Sequence, residues 1–253
     1  MMHAKWIAPL AALGALCVAT AVAHADDAHD LVKRVADATP QTAFTAKATL
    51  TSDRGWTREL ALSHKRVKDV DAAYMEVTAP MDLKDTRFLL LDHVVGKDEQ
   101  FIYVPQIKRT IQVGGQTRKQ EFLGSDFYVA DMVRPELDAY TYTFAGDEDV
   151  GGRHCKLVQS VPKNPTDELY SKTILAVDPT DLLIVRTQLF DPDGKLVKVW
   201  TLEKVEKIDG NWTPMVQKME SVQSNHWSKL DLNEVKYNAA LSDDIFTRSY
   251  LAR

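Results

Sequence analysis

The sequence predicts a mainly β protein, a single curved antiparallel sheet with short helices laid on it. Three observations lead there. Between Phe44 and Tyr237 apolar residues recur with period two in short runs, separated by clusters of glycine, proline, asparagine and aspartate. One stretch in the middle, residues 121–135, breaks that period and is almost wholly apolar. The first residues read as an export leader rather than as part of the fold.

That leader covers residues 1–25. Lys5 supplies a positive start, Ile7 to Val22 form an apolar run interrupted by Pro9, Gly14 and Thr20, and Ala23-His24-Ala25 offers small residues for cleavage after Ala25. The run is short for a membrane anchor, and Asp26-Asp27-Ala28-His29-Asp30 gives no stop-transfer flank. A lipid anchor on Cys17 is the competing reading, but Leu16 stands where a small residue belongs. Residues 26–253 are then one exported domain, expected in the periplasm.

The formal net charge of −5 becomes more negative once Lys5 is removed, and no basic block remains, which excludes nucleic acid as an expected partner. Cys155 is the only cysteine of residues 26–253 and cannot form an internal disulfide. It is expected to be a small buried hydrophobe, with a reactive thiol as the alternative.

Residues 26–38 open the domain. Leu31, Val32, Val35 and Ala38 fall on one helical stripe, acids lead, and Thr39-Pro40 ends the helix. Strands are then expected over 46–51, 56–66, 70–78, 87–92, 99–104, 107–113 and 116–123. After the apolar stretch they resume over 139–144, 154–161, 169–177, 182–190, 195–207, 212–222 and 227–237. Short turns between consecutive strands imply an antiparallel meander with the spacing of a sandwich or barrel. Phe88-Leu89-Leu90-Leu91 is apolar on both faces, so that strand should be covered on both sides. Asp191-Pro192-Asp193-Gly194 and Asp209-Gly210-Asn211 read as tight hairpins. In the tail, Ser242 should cap a last turn that docks Ile245 and Phe246.

The stretch that breaks the period is expected to be a helix of about two turns. Gly124 lets the chain leave a strand, Ser125 caps, Asp126 suits the first turn and Pro135 ends it. Phe127, Tyr128, Val129, Met132 and Val133 leave it almost no polar face, so it must lie on something apolar, the inner face of the sheet. The space between helix and sheet is where an acyl ligand is expected.

Alternation also puts Arg109 on the apolar side of its strand, beside Ile107, Ile111 and Val113. Two accounts stand: a strand-end arginine reaching water, or a partly buried ion pair to Asp126 or Asp131 that pins the helix. Enzyme signatures are absent from the sequence: no G-x-S-x-G, no H-E-x-x-H, no phosphate-cradling glycine loop and no C-x-x-C. The histidines are scattered, and Asp126 and Asp131 sit five apart on so short a helix that they would face different ways. What remains is soft and apolar, with Met215, Gln217, Met219 and Ser221 alternating on one face. Candidate cavity and lid residues are Trp56, Phe88, Phe101, Tyr103, Arg109, Phe127, Tyr128, Met132, Met215 and Met219; no catalytic residue, metal or cofactor is expected.

Tyr103-Val104-Pro105-Gln106-Ile107-Lys108-Arg109, a Y-x-P-x-x-K-R strand, and the helix start Gly124-Ser125-Asp126-Phe127 together resemble the LolA-like proteins of outer-membrane lipoprotein sorting. Leader, opening helix, strand order and late hairpins agree over residues 26–253. The resemblance implies an incomplete β-barrel whose concave face, covered by helices, holds the acyl chains of a lipid or lipoprotein. It implies a non-enzymatic, monomeric carrier between the inner and outer membranes, working with an RND-type inner-membrane exporter and an outer-membrane acceptor. The alternatives are an envelope lipid or stress sensor acting through a protein partner, and an unrecognised periplasmic hydrolase.

Overall fold

The computed structural model describes residues 20–93, 98–166 and 168–253, and among these thirteen strands join into one open antiparallel sheet. The expected leader falls largely on residues 1–19, outside that description. Strands β1 (Phe44–Ser52), β2 (Thr57–Val67), β3 (Val70–Ala79), β4 (Arg87–His93), β5 (Glu99–Val104) and β6 (Arg109–Gln112) form one meander. A second comprises β7 (Tyr140–Val150), β8 (Arg153–Pro162), β9 (Lys172–Asp178), β10 (Leu183–Phe190), β11 (Leu196–Ile208), β12 (Asn211–Ser221) and β13 (His226–Tyr237). The meanders meet where β1 pairs with β13, so the spatial order runs from β6 through β1 and β13 to β7. The sheet does not close: β6 and β7 are its two edges.

Turn chemistry fixes the registers. Asp209 and Gly210 both take positive φ, the two-residue turn whose twist matches the flanking strands, and they join β11 to β12. At the β10–β11 hairpin Gly194 donates its N–H to the Asp191 carbonyl at 2.9 Å. The expected run 116–123 is not a strand. Residues Gly115–Lys119 and Phe122–Gly124 form 3-10 turns instead. The Y-x-P-x-x-K-R motif spans the β5–β6 hairpin: Tyr103 and Val104 end one strand, Arg109 opens the next, and Ile107 and Lys108 donate back to Val104 and Pro105 in the turn between.

Alternation sorts the core into two faces. The inner face carries Leu50, Leu60, Met75, Phe88, Leu90, Met219 and Leu232. At the β7 end the same face is covered by the opening helix α1 (Thr20–Ala38), whose Ala28, Leu31 and Val32 pack on Tyr142, Val158 and Val177. The outer face carries Ala72, Tyr74, Leu89 and Phe101 under the C-terminal tail. There Ser242 caps the turn Asp243–Phe246 as expected, and α2 (Arg248–Leu251) follows; Phe246 and Leu251 are the buried anchors. Phe88, Leu89 and Leu90 are all buried, so β4 is covered on both sides. Cys155 is buried among Ala176 and Val185.

Candidate functional site: a strap across the concave face

Topology creates the site. Because β6 and β7 are opposite edges of one sheet, the chain between them, residues 113–139, has to cross the concave face. Phe122 packs on Phe88 of β4 with ring centroids 4.8 Å apart, and Phe127 meets Trp200 of β11 edge-on at 5.5 Å. Six strand spacings separate β4 from β11, about 29 Å in a flat sheet. Yet Phe122 and Phe127 are joined by one backbone hydrogen bond of 2.8 Å, so the sheet curls around the strap.

The expected two-turn helix over 124–135 is absent. Leu123 and Gly124 turn the chain through positive φ, Glu121 and Tyr128 form an isolated bridge, and Val129–Met132 make a 3-10 turn. A helix without a polar face would leave about half of its apolar side chains in water. The irregular backbone turns Phe122, Phe127 and Val129 all inward, where each is buried. Side chains compensate for the missing helical hydrogen bonds. Asp131 accepts from the Tyr128 N–H at 2.8 Å, Ser125 Oγ donates to the Phe122 carbonyl at 2.6 Å, and the Asp126 N–H donates to Ser228 Oγ at 3.0 Å.

Three polar anchors tie the strap to the sheet. Asp126, its side chain 2 % exposed, accepts from Ser221 Oγ and Ser228 Oγ at 2.7 Å each and from Arg54 at 3.2 Å. Asp131 accepts from the Tyr170 hydroxyl at 3.0 Å and lies 3.5 Å from the Lys198 ammonium. Lys198 is 4 % exposed, and its Nζ sits 3.0 Å from the centre of the Tyr128 ring. Burial pushes the Lys198 pKa down against the pull of Asp131, and burial followed by Asp131 pushes the Tyr170 phenol up. At the far end Arg134 reaches Asp71 at 3.1 Å, where Arg66 also pairs. One pocket beneath the strap, lined by Met75, Phe88, Gln100, Phe122, Val129 and Met132, holds about 10 Å³. That is room for roughly one water, against the ~300–1,000 Å³ of ligand pockets. At that pocket the strap's own Phe122, Val129 and Met132 stand where the sequence predicts acyl space.

The family model that matches, over residues 69–253, carries the description "-like: Uncharacterized protein". A DUF1329 family protein from Desulfovibrio piger is 25% identical, with a TM-score of 0.84 over 90% of this chain and 99% of that one. A structure described as an outer membrane lipoprotein-sorting protein domain, from Vibrio parahaemolyticus, is 21% identical with a TM-score of 0.83 over 90% and 100%. A LolA superfamily protein from Nitrosomonas europaea is 18% identical with a TM-score of 0.69 over 88% and 98%. The chain belongs to the family of that model, and it shares the fold of the LolA-like structures. No curated protein matches it in sequence.

Measured against the LolA-like fold, the ten candidate residues separate. Phe88, Phe127 and Met219 are buried on the inner face, with Trp56 and Met132 packed beside them. Tyr128 lies under Lys198, and Met215 is half-buried at a register shift between β11 and β12. Phe101 and Tyr103 are on the other face, under the tail, because β5 turns them opposite to Ile102. Arg109 shares the inner face with Ile111, as alternation required, but pairs with neither Asp126 nor Asp131. It is exposed, because β6 is an edge strand beyond the strap's cover. The cations that do the pinning are Arg54 and Lys198. The signal that singled out Arg109 also marks Lys198, which alternates with Leu196 and Trp200 in β11.

The Asp71 anchor predicts an acid-sensitive term. Burial opposes its ionisation, but hydrogen bonds from His64 and Arg66 outweigh that and hold the carboxyl below its ordinary value of 3.8. A depressed folded pKa means that the unfolded chain binds more protons, so this stability is present above pH 3.8 and lost as pH falls through the folded value. Asp71→Asn should therefore flatten the fall of the urea midpoint below about pH 4. An unchanged acid limb would refute the assignment.

Proposed function

We propose that this protein is a periplasmic, non-enzymatic carrier that takes up the acyl chains of a lipid or lipoprotein between strap and sheet and moves them from the inner to the outer membrane. The observation that supports this reading is the strap itself. It is a covalent crossing of an open concave sheet, apolar beneath, irregular in backbone, and fixed by a few side-chain anchors. The leader supports export, and the Vibrio protein of the same fold is described as lipoprotein-sorting. An RND-type exporter as donor and an outer-membrane acceptor complete the scheme.

The energetics are balanced in the way a carrier requires. An acyl chain of a dozen or more methylenes gains ~10 kcal/mol on burial at about 0.8 kcal/mol each. Lifting Phe122, Phe127 and Val129 off the sheet forfeits ~1.5–3 kcal/mol apiece, before the anchors are counted. Cargo therefore holds the open state without being trapped in it. Native mass spectrometry of the mature protein from its own periplasm should show one bound lipid. A clean protein mass, together with no uptake of a fluorescent acyl probe, would overturn the reading and favour a partner-binding sensor.

A further inference from the structure

The inference that follows rests on the carrier reading. A chain entering the concave face has to part strap from sheet, and the strap carries Asp126 and Asp131 away with it. What they leave is a built set on the inner face. Lys198 and Ser221 are direct partners in the β11–β12 register, Ser228 on β13 stands across from Met219 on β12 and from Ser52 on β1, and Arg54 follows in the turn after β1. Alternation points Lys198, Ser221 and Ser228 the same way; Lys198 is held by Asp131, and the two serines by Asp126. It bonds both hydroxyls and Arg54, and it is close enough to Lys198 to favour the charged ammonium.

One cation and two hydroxyl donors converge on the Asp126 carboxylate, and a second cation, Lys198, stands opposite Ser221 in the register, a set that matches the needs of a phosphate oxygen cluster. An uncharged acyl cargo would lift the strap and leave Lys198 without a counter-charge under a low-dielectric roof. A cargo with an anionic phosphate would replace what the strap withdrew. We propose that Arg54, Lys198, Ser221 and Ser228 are the receptor for the phosphate group of an anionic lipid cargo, and that Asp126 occupies this receptor in the closed protein. The covering segment thereby competes with the headgroup as well as with the chain. Selection among lipids follows from charge at this point, since the apolar face reads every chain alike.

The mature protein is titrated with two fluorescent probes of one chain length, a monoacyl glycerol phosphate and the monoacyl glycerol without phosphate. The phosphate probe should bind at least about tenfold more tightly, the factor one good charge-assisted contact supplies. In Lys198→Met/Asp131→Leu, which leaves no stranded charge, the ratio of the two affinities should collapse toward one. Asp126→Asn should bind the phosphate probe more tightly than the native protein, a gain that misfolding does not imitate. Equal affinities in the native protein would overturn the inference while leaving the carrier intact; binding of neither probe would remove the carrier reading itself. Inorganic phosphate that displaces the probe as well as the lipid does would overturn a lipid headgroup as the ligand.

Discussion

Oxidising the double variant Asp126→Cys/Ser228→Cys should reduce lipid transfer between vesicles to background, and reducing it should restore transfer by the same polypeptide. The geometry suits the bond. Ser228 Oγ lies 3.0 Å from the Asp126 nitrogen and 2.7 Å from its carboxylate, so the two side chains already meet where the sulfurs would have to join. The bond would staple the middle of the strap to β13, over the centre of the concave face. Cys155 is buried in a separate cluster with Ala176 and Val185 and does not compete. Restoration on reduction is expected to be partial, since both positions belong to the Asp126 anchor. The comparison that decides is oxidised against reduced, with cross-link yield read by mass. Full transfer by the oxidised form would mean that lipid never passes beneath the strap.

The sheet was legible in the sequence because period-two alternation and turn residues are local signals. Expected and observed strands agree to within a residue at each end in β3, β4, β8 and β10 to β13, and β9 starts three residues later than expected. The strap was legible only as an apolar stretch. Its apolar residues follow one another without a period, and they fit a short helix as well as they fit a coil whose side chains all turn inward. What decides between these is the need to cross from β6 to β7, and strand order is not written in any one segment. The same non-locality misplaced the ion pair. Arg109 and Lys198 carry equal local signals, a cation alternating with apolar neighbours, but one strand is an edge and the other is interior. Phe101 and Tyr103 were assigned to the cavity by residue type alone; their parity relative to Phe88 becomes visible only through the β4–β5 register.

Removing either member of the Lys198–Asp131 pair should cost about 3–5 kcal/mol, and removing both should cost far less. Both side chains are at most 6 % exposed and stand 3.5 Å apart. Lys198→Met leaves Asp131 with only the Tyr128 N–H and the Tyr170 hydroxyl, and Asp131→Leu leaves an ammonium against the Tyr128 ring. In Lys198→Met/Asp131→Leu no charge is stranded, so its urea midpoint should return to within about 1 kcal/mol of the native protein, as apolar replacements of buried pairs do elsewhere. The pH dependence gives a second check. Burial lowers the Lys198 pKa below 10.5, so the unfolded chain binds the proton more tightly, and stability attributable to Lys198 rises with pH across the window between its folded value and 10.5. That rise should be missing from the double variant. Additive single-variant losses would show the pair to be uncoupled. A coupled pair that apolar residues replace without loss is not retained for stability; under the proposed carrier cycle, in which the strap opens, its place there makes charge at this point a condition on what enters.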